Sequence, residues 1–265
     1  MKDLILQALP GDFPWQNQIH WFDSIDSTNT RAKEMALRGA PHGTVLIADH
    51  QTGGRGRMGR SFLSPSGVGI YMSVLLRPHC PPQKLMHLTC ATAVAMCDAV
   101  ERSAGFRPGI KWTNDLVSGS KKLAGILTEM ALDASSQIAY AVVGIGINCC
   151  QRSDDFAPEI RDMAGSLSMI AGTAVPRPKV AAAMLEALLR MDRNLLSGKD
   201  SVMTRYRKDC ITVGREISLV RGDEIRHGLA VNVDEDGALV VRFDDGHVET
   251  VNSGEVSVRG LYGYV

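Results

Sequence analysis

The spacing of turn residues changes near residue 212, and this change limits the folds open to the chain. After Gly214, alternating apolar residues predict four short strands, at residues 216–220, 225–233, 238–243 and 247–251. Clusters of Gly and Asp separate these strands, at residues 221–223, 234–237 and 244–246. Short alternating strands with regular turns are typical of a small antiparallel β-barrel. We therefore predict one domain over residues 1–212 and a second over residues 213–265.

The first 212 residues combine strand and helix patterns. Apolar runs predict strands at residues 19–22, 45–48, 68–76, 110–112, 115–117, 123–130 and 138–147. Helical spacing of apolar residues predicts helices that begin at Ser27 or Thr28, at Pro82, and over residues 179–196 and 202–210. Residues 1–26 are predicted to be irregular apart from the first strand. The predicted fold class is therefore α+β, a mixed β-sheet flanked by helices and followed by an all-β domain.

The composition argues against several classes of function. Lys plus Arg and Asp plus Glu both total 29, so no net charge draws the chain to nucleic acid or an anionic membrane. The six cysteines form no C-x-x-C pair and the seven histidines lack metal-ligand spacing, which favours reduced core thiols and no protein-bound metal. No apolar stretch has the length of a signal-peptide core or a membrane span. We expect a soluble, cytoplasmic protein.

The most informative motif is GGRGRMGR over residues 53–60. Its four glycines let the backbone approach a ligand closely, and its three arginines supply bidentate donors for phosphate or carboxylate. A polyanion such as ATP suits this composition, although a solvated surface loop is an equally open interpretation. Residues 54–61 have the pattern G-x-x-x-x-G-R-S, but the P-loop lysine is absent and no helix pattern follows. No interleaved aromatic residues support stacking on nucleic acid.

A second candidate segment comprises KWTND at residues 111–115 and KKLAGIL at residues 121–127. Lys122 opens an apolar strand, so its side chain could face a site, although lysine pairs are usually solvated turn residues. Gly125 within the strand allows close approach of a ligand. The segment is therefore a candidate ligand site that composition alone does not establish.

Two further segments join the candidate site. GIGIN at residues 144–148 ends an apolar strand, but Cys149 replaces the third glycine of a dinucleotide fingerprint and no helix pattern follows. The glycines would instead let a ligand lie against the strand. The residues Ser27, Thr28 and Asn29 are typical helix-capping residues, and they can also present donors and acceptors to a polar head group.

In this order, the motifs resemble those of the biotin–protein ligase family. The residues that carry the resemblance are Ser27-Thr28-Asn29, Gln51, Gly54-Arg55-Gly56-Arg57, Lys111-Trp112, Asn114-Asp115, Lys122-Leu123-Ala124-Gly125, Gly144, Gly146 and Asn148. The resemblance runs from about residue 20 to the C-terminus. It implies a class II synthetase-like catalytic domain with a mixed sheet, and a C-terminal SH3-like β-barrel. It also implies a form that lacks the N-terminal DNA-binding domain of some members.

The implied activity is that of an ATP-dependent biotin–protein ligase, which forms biotinyl-5′-AMP and transfers biotin to a carrier lysine. The implied ligands are biotin, ATP and Mg²⁺, with no metal held by the protein alone. The implied partner is a biotin carboxyl carrier protein domain of a carboxylase, with no specific DNA and no membrane. The implied assembly is a monomer or a homodimer.

The resemblance also implies roles for individual residues. Arg57 and Lys122 would stabilise the reacting carboxylate and the α-phosphate, and Asp115 would help to orient the carrier lysine. The implied biotin-binding residues are Ser27, Thr28, Asn29, Gln51, Gly54, Arg55, Lys122, Gly125 and Gly144. The implied ATP-binding residues are Arg57, Arg60, Phe62, Asn114 and Asn148.

Two positions depart from the family pattern. Phe62 stands where better-known members have a tryptophan that stacks on adenine, so we expect weaker stacking. Thr113 replaces the common proline of the K-W-P-N-D motif, so we expect a looser turn. Neither change removes a reactive group.

Three alternatives stay open at this stage. A lipoate or octanoate ligase would need a narrow apolar tunnel, whereas Ser27, Thr28, Asn29 and Gln51 favour a hydrogen-bonding head group. A biotin-responsive DNA-binding regulator would need an N-terminal helical domain, for which we expect no room before Ser27. A non-catalytic vitamin-binding module would not need two cations. The ligase interpretation depends on whether the side chains of Arg57 and Lys122 converge on one site.

Overall fold

The computed structural model describes residues 1–221, 224–252 and 255–258. Gly222 and Asp223 of the predicted turn lie outside the described residues, as do residues 253–254 and 259–265 of the second predicted domain. Within the described ranges, the α+β class is confirmed, because a mixed sheet with flanking helices is followed by a small antiparallel sheet.

A seven-stranded mixed sheet organises the larger part of the chain. Its strands are β1 (Ile19–Phe22), β2 (Thr44–Ala48), β3 (Gly69–Leu76), β4 (Gly109–Lys111), β5 (Asp115–Ser118), β6 (Lys121–Leu132) and β7 (Ile138–Asn148). Their order is β1-β2-β3-β7-β6-β5-β4. The β1–β2 pair is parallel and the other pairs are antiparallel. All seven strands were predicted to within two residues at each end.

Within the described residues, six α-helices lie around this sheet or pack on its covering helices. They are α1 (Lys2–Ala8), α2 (Thr28–Leu37), α3 (Leu88–Ala104), α4 (Leu167–Ala171), α5 (Arg177–Asn194) and α6 (Lys199–Asp209). Helix α3 packs on β6 and α5 on β3, with α1 and α6 beside them, whereas α2 packs on β3 and β7. Alternation along the strands therefore supplies two apolar faces, one beneath α3 and α5 and one beneath α2.

On the sheet face beneath α2, strand β7 changes from large side chains to glycines, and the resulting opening positions the site. Tyr140 and Val142 pack under α2. The next residues on the same face of the strand are Gly144 and Gly146, followed by Asn148. The residues between them, Val143, Ile145 and Ile147, continue the core on the other face. The sequence pattern thus builds a covered sheet at one end of β7 and an open trough at the other.

Two parts of the sequence-based prediction were wrong. Residues 1–26 were predicted to be irregular, but α1 lies there and buries Ile5 against α5. A helix this short is stabilised by packing more than by local propensity, so the local pattern gave no strong signal. The helix predicted from Pro82 starts as a 3₁₀ turn over Pro82–Leu85, and the α-helix begins only at Leu88.

The second sheet is antiparallel and has five strands. They are β8 (Glu216–Arg221), β9 (Glu224–Val233), β10 (Leu239–Phe243), β11 (Val248–Val251) and β12 (Glu255–Val258), in the order β11-β10-β9-β8-β12. This small sheet agrees with the predicted SH3-like fold, although β12 was not predicted. It packs on the larger part, where Trp112 Nε1 donates to Gly237 O at 2.8 Å.

Membrane spans and the state of the cysteines can be compared with the described residues. Within the described ranges, no helix is both long enough and apolar enough to cross a bilayer. The six cysteines are free thiols, and five of them are buried. The thiols therefore contribute to the core as small apolar groups.

Candidate active site

Two adjoining cavities open at the trough beyond α2. The first has a volume of about 160 Å³ and is lined by α2, the 55–62 loop and strands β6 and β7. The second has a volume of about 370 Å³ and is lined by the same loop and by residues 151–164. The residues that line both are Arg60, Ser61, Phe62, Lys111, Asp115 and Lys122. The polar and cationic side chains among them therefore lie at the junction of the two cavities.

Glycines on β6 and β7 make room for the first cavity. A Cβ atom on Gly144 would lie 1.9 Å from Asn29 Oδ1, and one on Gly146 would lie 2.4 Å from the Phe62 ring. Gly125 on β6 pairs with Gly146 and would carry its Cβ 3.4 Å from the same ring. Gly144 and Gly146 need glycine because neighbouring side chains occupy the space where a Cβ would be, whereas a Cβ on Gly125 would make ordinary contacts.

The end of the first cavity under α2 is polar. Thr28 donates to Gln51 Oε1 through its backbone N–H at 2.8 Å and through its hydroxyl at 3.1 Å. Gln51 Nε2 in turn donates to Ser64 Oγ at 2.9 Å. The buried hydroxyl of Ser73 lies 2.6 Å from Asn29 Oδ1 and 2.8 Å from Thr28 Oγ1. This network fixes the direction of each donor and acceptor before a ligand binds.

Arg57 and Lys122 converge on the first cavity. Arg57 Nη1 donates to Asn114 Oδ1 at 3.0 Å, and Lys122 Nζ contacts Asp115 Oδ1 at 2.7 Å. Neighbouring residues, Asn114 and Asp115, therefore hold two cations that are far apart in sequence, and both cations line the first cavity. Asn114 is itself fixed by a hydrogen bond from its Nδ2 to Ile126 O at 2.9 Å.

An irregularity in β6 brings Lys122 to this point. Strict alternation would place Lys122 and Gly125 on opposite faces of the sheet. The pairing with β5 shifts between Leu116 and Val117, which are opposite Ala124 and Lys122, so Leu123 is an extra residue. Such a bulge re-aims a side chain, and a Cβ on Gly125 would lie 3.7 Å from Lys122 Cε.

The environment of Arg57 is partly desolvated. Burial lowers the pKa of Arg57 from its ordinary value, while the negative charge of Asp115 acts in the opposite direction. A guanidinium stays charged despite such a shift. Its attraction for an anion is stronger here than in water, because less solvent screens the charge.

The second cavity is bordered by a segment that is tied to β6. Lys121 Nζ donates to the carbonyls of Arg161 and Asp162 at 3.0 and 2.9 Å, and the Lys122 N–H donates to Met163 O at 2.7 Å. On the opposite wall, Asn148 Nδ2 donates to Gly165 O at 3.0 Å. The strand that carries Lys122 therefore also holds the wall of the second cavity.

Comparison with known proteins identifies the family. Residues 21–148 match the biotin/lipoate A/B protein ligase family, and residues 212–259 match the biotin protein ligase C-terminal domain. The chain is 35% identical to the bifunctional ligase/repressor BirA of Bacillus spizizenii, over 89% of this chain and 72% of that protein. It is 31% identical to the biotin–[acetyl-CoA-carboxylase] ligase of Mycobacterium tuberculosis, over 97% of this chain and 93% of that protein.

A solved structure agrees with these matches. The structure of the biotin protein ligase from Aquifex aeolicus in complex with biotin and ATP superposes with a TM-score of 0.76. The match has 31% identity and covers 91% of this chain and 98% of that one.

The chain belongs to the biotin protein ligase family. The family resemblance predicted from the motifs is therefore confirmed.

The structure brings most of the predicted ligase-site residues into one place. All of them line the first cavity except Gly54 and Asn148. Asn148 lines the second cavity, and Gly54 lies beside the first, where its Cβ would be 2.3 Å from Phe62 O. The roles assigned to these residues stay predictions.

The two departures from the ligase pattern are both located at the site. The Phe62 ring lies over Gly146 and packs edge-on against Tyr71, with ring centroids 6.4 Å apart. The peptide bond between Trp112 and Thr113 is cis. Hydrogen bonds hold both residues, from the Trp112 N–H to Thr212 Oγ1 at 2.9 Å and from Tyr206 OH to Thr113 O at 3.1 Å.

Sequence reasoning missed several polar residues of this site. They are Lys33, Ser64, Ser73, Glu129 and Gln151. Ser73 and Glu129 each interrupt an apolar strand pattern, which was the available signal for a buried or half-buried polar role.

Proposed function

We propose that the chain is an ATP-dependent biotin–protein ligase that forms biotinyl-5′-AMP and transfers biotin to a carrier lysine. The observation that supports this most strongly is the convergence of Arg57 and Lys122 on the first cavity, with Lys122 also lining the second. A carboxylate and a nucleotide phosphate repel each other, so a site that joins them needs cations at the junction. The solved Aquifex aeolicus relative binds biotin and ATP.

The two cavities suit two different parts of the reaction. The first cavity would take biotin, with its ureido ring toward Thr28, Asn29 and Gln51 and its carboxylate toward Lys122. The second would take the nucleotide, with Phe62 and Asn148 at the adenine. The α-phosphate then lies at the shared junction. Mg²⁺ would arrive on the phosphates of ATP, since oxygen-rich phosphates are its preferred ligands.

The first chemical step forms the mixed anhydride. A biotin carboxylate oxygen attacks the α-phosphorus, the bond to the β-phosphate oxygen breaks, and pyrophosphate leaves with the electron pair. Arg57 and Lys122 stabilise the negative charge that gathers on the α-phosphate oxygens. Arg55 and Arg60, on the glycine-rich loop, would help to keep water from the anhydride.

The second step transfers the acyl group. The amine of the carrier lysine attacks the anhydride carbonyl, a C–N bond forms, and AMP leaves with the carboxylate oxygen that had joined the phosphorus. The amine loses a proton in this step, to the phosphate of the departing AMP or to solvent water. Asp115, which contacts Lys122 at the junction, would orient the incoming lysine.

The polar end of the first cavity favours biotin over lipoate or octanoate. The ureido ring of biotin has two N–H donors and a carbonyl acceptor, whereas the ends of lipoate and octanoate have no such groups. A site built to hydrogen-bond a ligand strongly rejects an analogue that leaves its polar groups unpaired. An apolar chain would offer no partner to the hydrogen-bonding capacity that Thr28, Asn29 and Gln51 do not use among their neighbours.

We propose that the acceptor protein is the biotin carrier domain of a carboxylase. The Mycobacterium tuberculosis relative is named for such a partner, acetyl-CoA carboxylase. We propose no specific DNA target, because the net charge is zero. Duplex DNA should bind weakly and with strong salt dependence. A tight, sequence-specific complex would instead support the second activity of the Bacillus spizizenii relative.

The test is pyrophosphate exchange into ATP with biotin, lipoate or octanoate as the acid. Exchange should depend on biotin, and adding a purified carrier domain should yield biotinylated carrier. Lys179→Ala is the matched control for the Lys122→Ala variant described in the Discussion, since Lys179 is an exposed lysine of α5 that lines neither cavity. Exchange with lipoate or octanoate but not biotin would contradict the substrate assignment.

A further inference from the structure

A carboxylate outside the family motifs contacts side chains that line the polar end of the first cavity. Glu129 is on β6, two residues beyond Leu127 and therefore on the same face of the strand. Asn29 Nδ2 donates to its Oε2 at 3.0 Å. Lys33 Nζ contacts its Oε1 at 2.7 Å, and Arg55 Nη1 lies 3.4 Å from the same oxygen. Glu129 thus joins α2, the glycine-rich loop and the sheet.

The direction of the Asn29 amide follows from these contacts. A carboxylate only accepts hydrogen bonds, so the NH₂ group of Asn29 must face Glu129. The second N–H of this group donates to Leu127 O at 3.2 Å. The Ser73 hydroxyl donates to Asn29 Oδ1 at 2.6 Å. The group that Asn29 can still offer is the other lone pair of Oδ1, which lies against Gly144 at the cavity wall.

We propose that Glu129 is a positioning residue that makes Asn29 an acceptor for the ureido N–H of the acid substrate. The proposal rests on the biotin ligase function proposed above. Glu129 itself need not touch the ligand, because its Oε2 is used by Asn29. Without a carboxylate at this position, the Asn29 amide could turn and present N–H groups to the N–H groups of the urea.

The cations around Glu129 keep it in the form that this role requires. Burial opposes ionisation, but hydrogen bonds from Lys33 and Asn29, with the charges of Lys33 and Arg55, lower the pKa of Glu129 below its ordinary value. The carboxylate therefore stays ionised at neutral pH. Each oxygen has its own partners, since Oε2 faces Asn29 while Oε1 faces the two cations.

The decisive variant is Glu129→Gln, which keeps the shape and adds a donor. In the variant the amide oxygen is drawn to Lys33 and Arg55, so its NH₂ group faces Asn29. The Asn29 amide then loses the shorter of its two acceptor contacts and keeps only the longer one, to Leu127 O. We expect the KM for biotin to rise about tenfold or more, because one oriented hydrogen bond to the ligand is lost. The kcat and the KM for ATP should stay within about twofold of the wild-type values.

Two further variants separate this role from a structural ion pair. Lys33→Met breaks the ion pair with Glu129 but leaves the acceptor for Asn29, so the KM for biotin should change by less than about threefold. Glu34→Gln is the surface control, because the Glu34 side chain on α2 is 43% exposed and pairs with Arg31. It should leave all kinetic constants unchanged.

A second readout uses biotin methylated on a ureido nitrogen, which lacks one N–H donor. The wild-type enzyme should prefer biotin over the analogue that lacks the relevant N–H by at least about 30-fold, and Glu129→Gln should shrink this preference to below about fivefold. A general loss of stability would not change such a ratio. Both mono-methylated analogues are needed, because either ureido nitrogen can face Asn29.

The outcomes distinguish this proposal from the function beneath it. If wild-type protein shows no exchange with biotin, the ligase function fails. If it does, and Glu129→Gln leaves the biotin KM and the preference unchanged, the role of Glu129 is overturned. The role is also overturned if Lys33→Met raises the biotin KM as much as Glu129→Gln does. The Lys33→Met result stands even if Glu129→Gln does not fold.

Discussion

Replacing Gly144 with alanine would test how the polar end of the first cavity is built. The new Cβ would lie 1.9 Å from Asn29 Oδ1, 2.6 Å from Cγ and 2.8 Å from Nδ2. All three distances are too short for real contacts, so Asn29 must leave its position. Its hydrogen bonds to Ser73, Leu127 and Glu129 are then lost.

The size of the effect follows from the acceptor that biotin loses. A polar group left without its partner on binding costs about 2 kcal/mol, which corresponds to about 30-fold in kcat/KM for biotin. The KM for ATP should stay within about twofold, since Gly144 does not line the second cavity. Pyrophosphate exchange at varied biotin and varied ATP measures both constants, and a thermal melt checks that the variant is folded.

The same substitution in an Asn29→Ala background isolates the cause. Once the Asn29 side chain is gone, the Cβ on residue 144 meets no amide, so Gly144→Ala should have little further effect. Gly11→Ala is the matched control, because a Cβ there would meet nothing within 4 Å. If Gly144→Ala lowers kcat/KM as strongly without Asn29 as with it, the steric argument is wrong.

Three further predictions concern the cations and the ion pairs. Lys122→Ala should lower exchange at least about 10²-fold with little change in thermal stability, and unchanged exchange would remove Lys122 from the mechanism. Lys121→Met removes the donor to two carbonyls of the 151–164 segment, which borders the second cavity. The KM for ATP should therefore rise about three- to tenfold, while the KM for biotin stays unchanged. Equal rises in the two KM values would argue against the division into two cavities. Asp49→Asn leaves the half-buried Arg177 without its carboxylate partner and should lower the free energy of unfolding at pH 7 by about 2 kcal/mol in denaturant titrations. Burial raises the pKa of Asp49, but hydrogen bonds from Ser66 and Arg177 outweigh it and lower the pKa below its ordinary value of 3.8. The stability difference between wild type and variant should therefore persist as the pH falls to 3.8 and close only below it. A stability difference that closes near pH 6 would contradict this.

The sheet and its strand bounds were predictable because alternation and turn residues are local signals. Each strand of the mixed sheet has one face that continues the apolar core, and this period of two is visible in the sequence. Helix α1 was missed because its stability comes from Ile5 packing on α5, far away in the chain. Strand β12 was missed although its sequence, EVSV, alternates in the same way as the predicted strands.

The candidate site was predictable where glycines and cations cluster in the sequence. Gly144 and Lys122 were identified from such clusters and from the family resemblance, and both line the first cavity. Glu129 was not, because its partners Asn29 and Arg55 come from other elements and meet it only in the folded chain. The position of Lys122 on the cavity side also depends on the extra residue at Leu123, which a strict alternation does not predict.

The central claim is that the site joins a carboxylate to an α-phosphate before the carrier lysine attacks. Biotin labelled with ¹⁸O in its carboxylate tests this claim directly, with a carrier domain and unlabelled ATP. Mass spectrometry of the released nucleotide should find AMP that carries one labelled oxygen. The second step breaks the bond between the acyl carbon and the bridging oxygen, so this oxygen stays on the phosphorus. Label in inorganic phosphate with ADP as the nucleotide, or AMP without label, would contradict the acyl-adenylate mechanism.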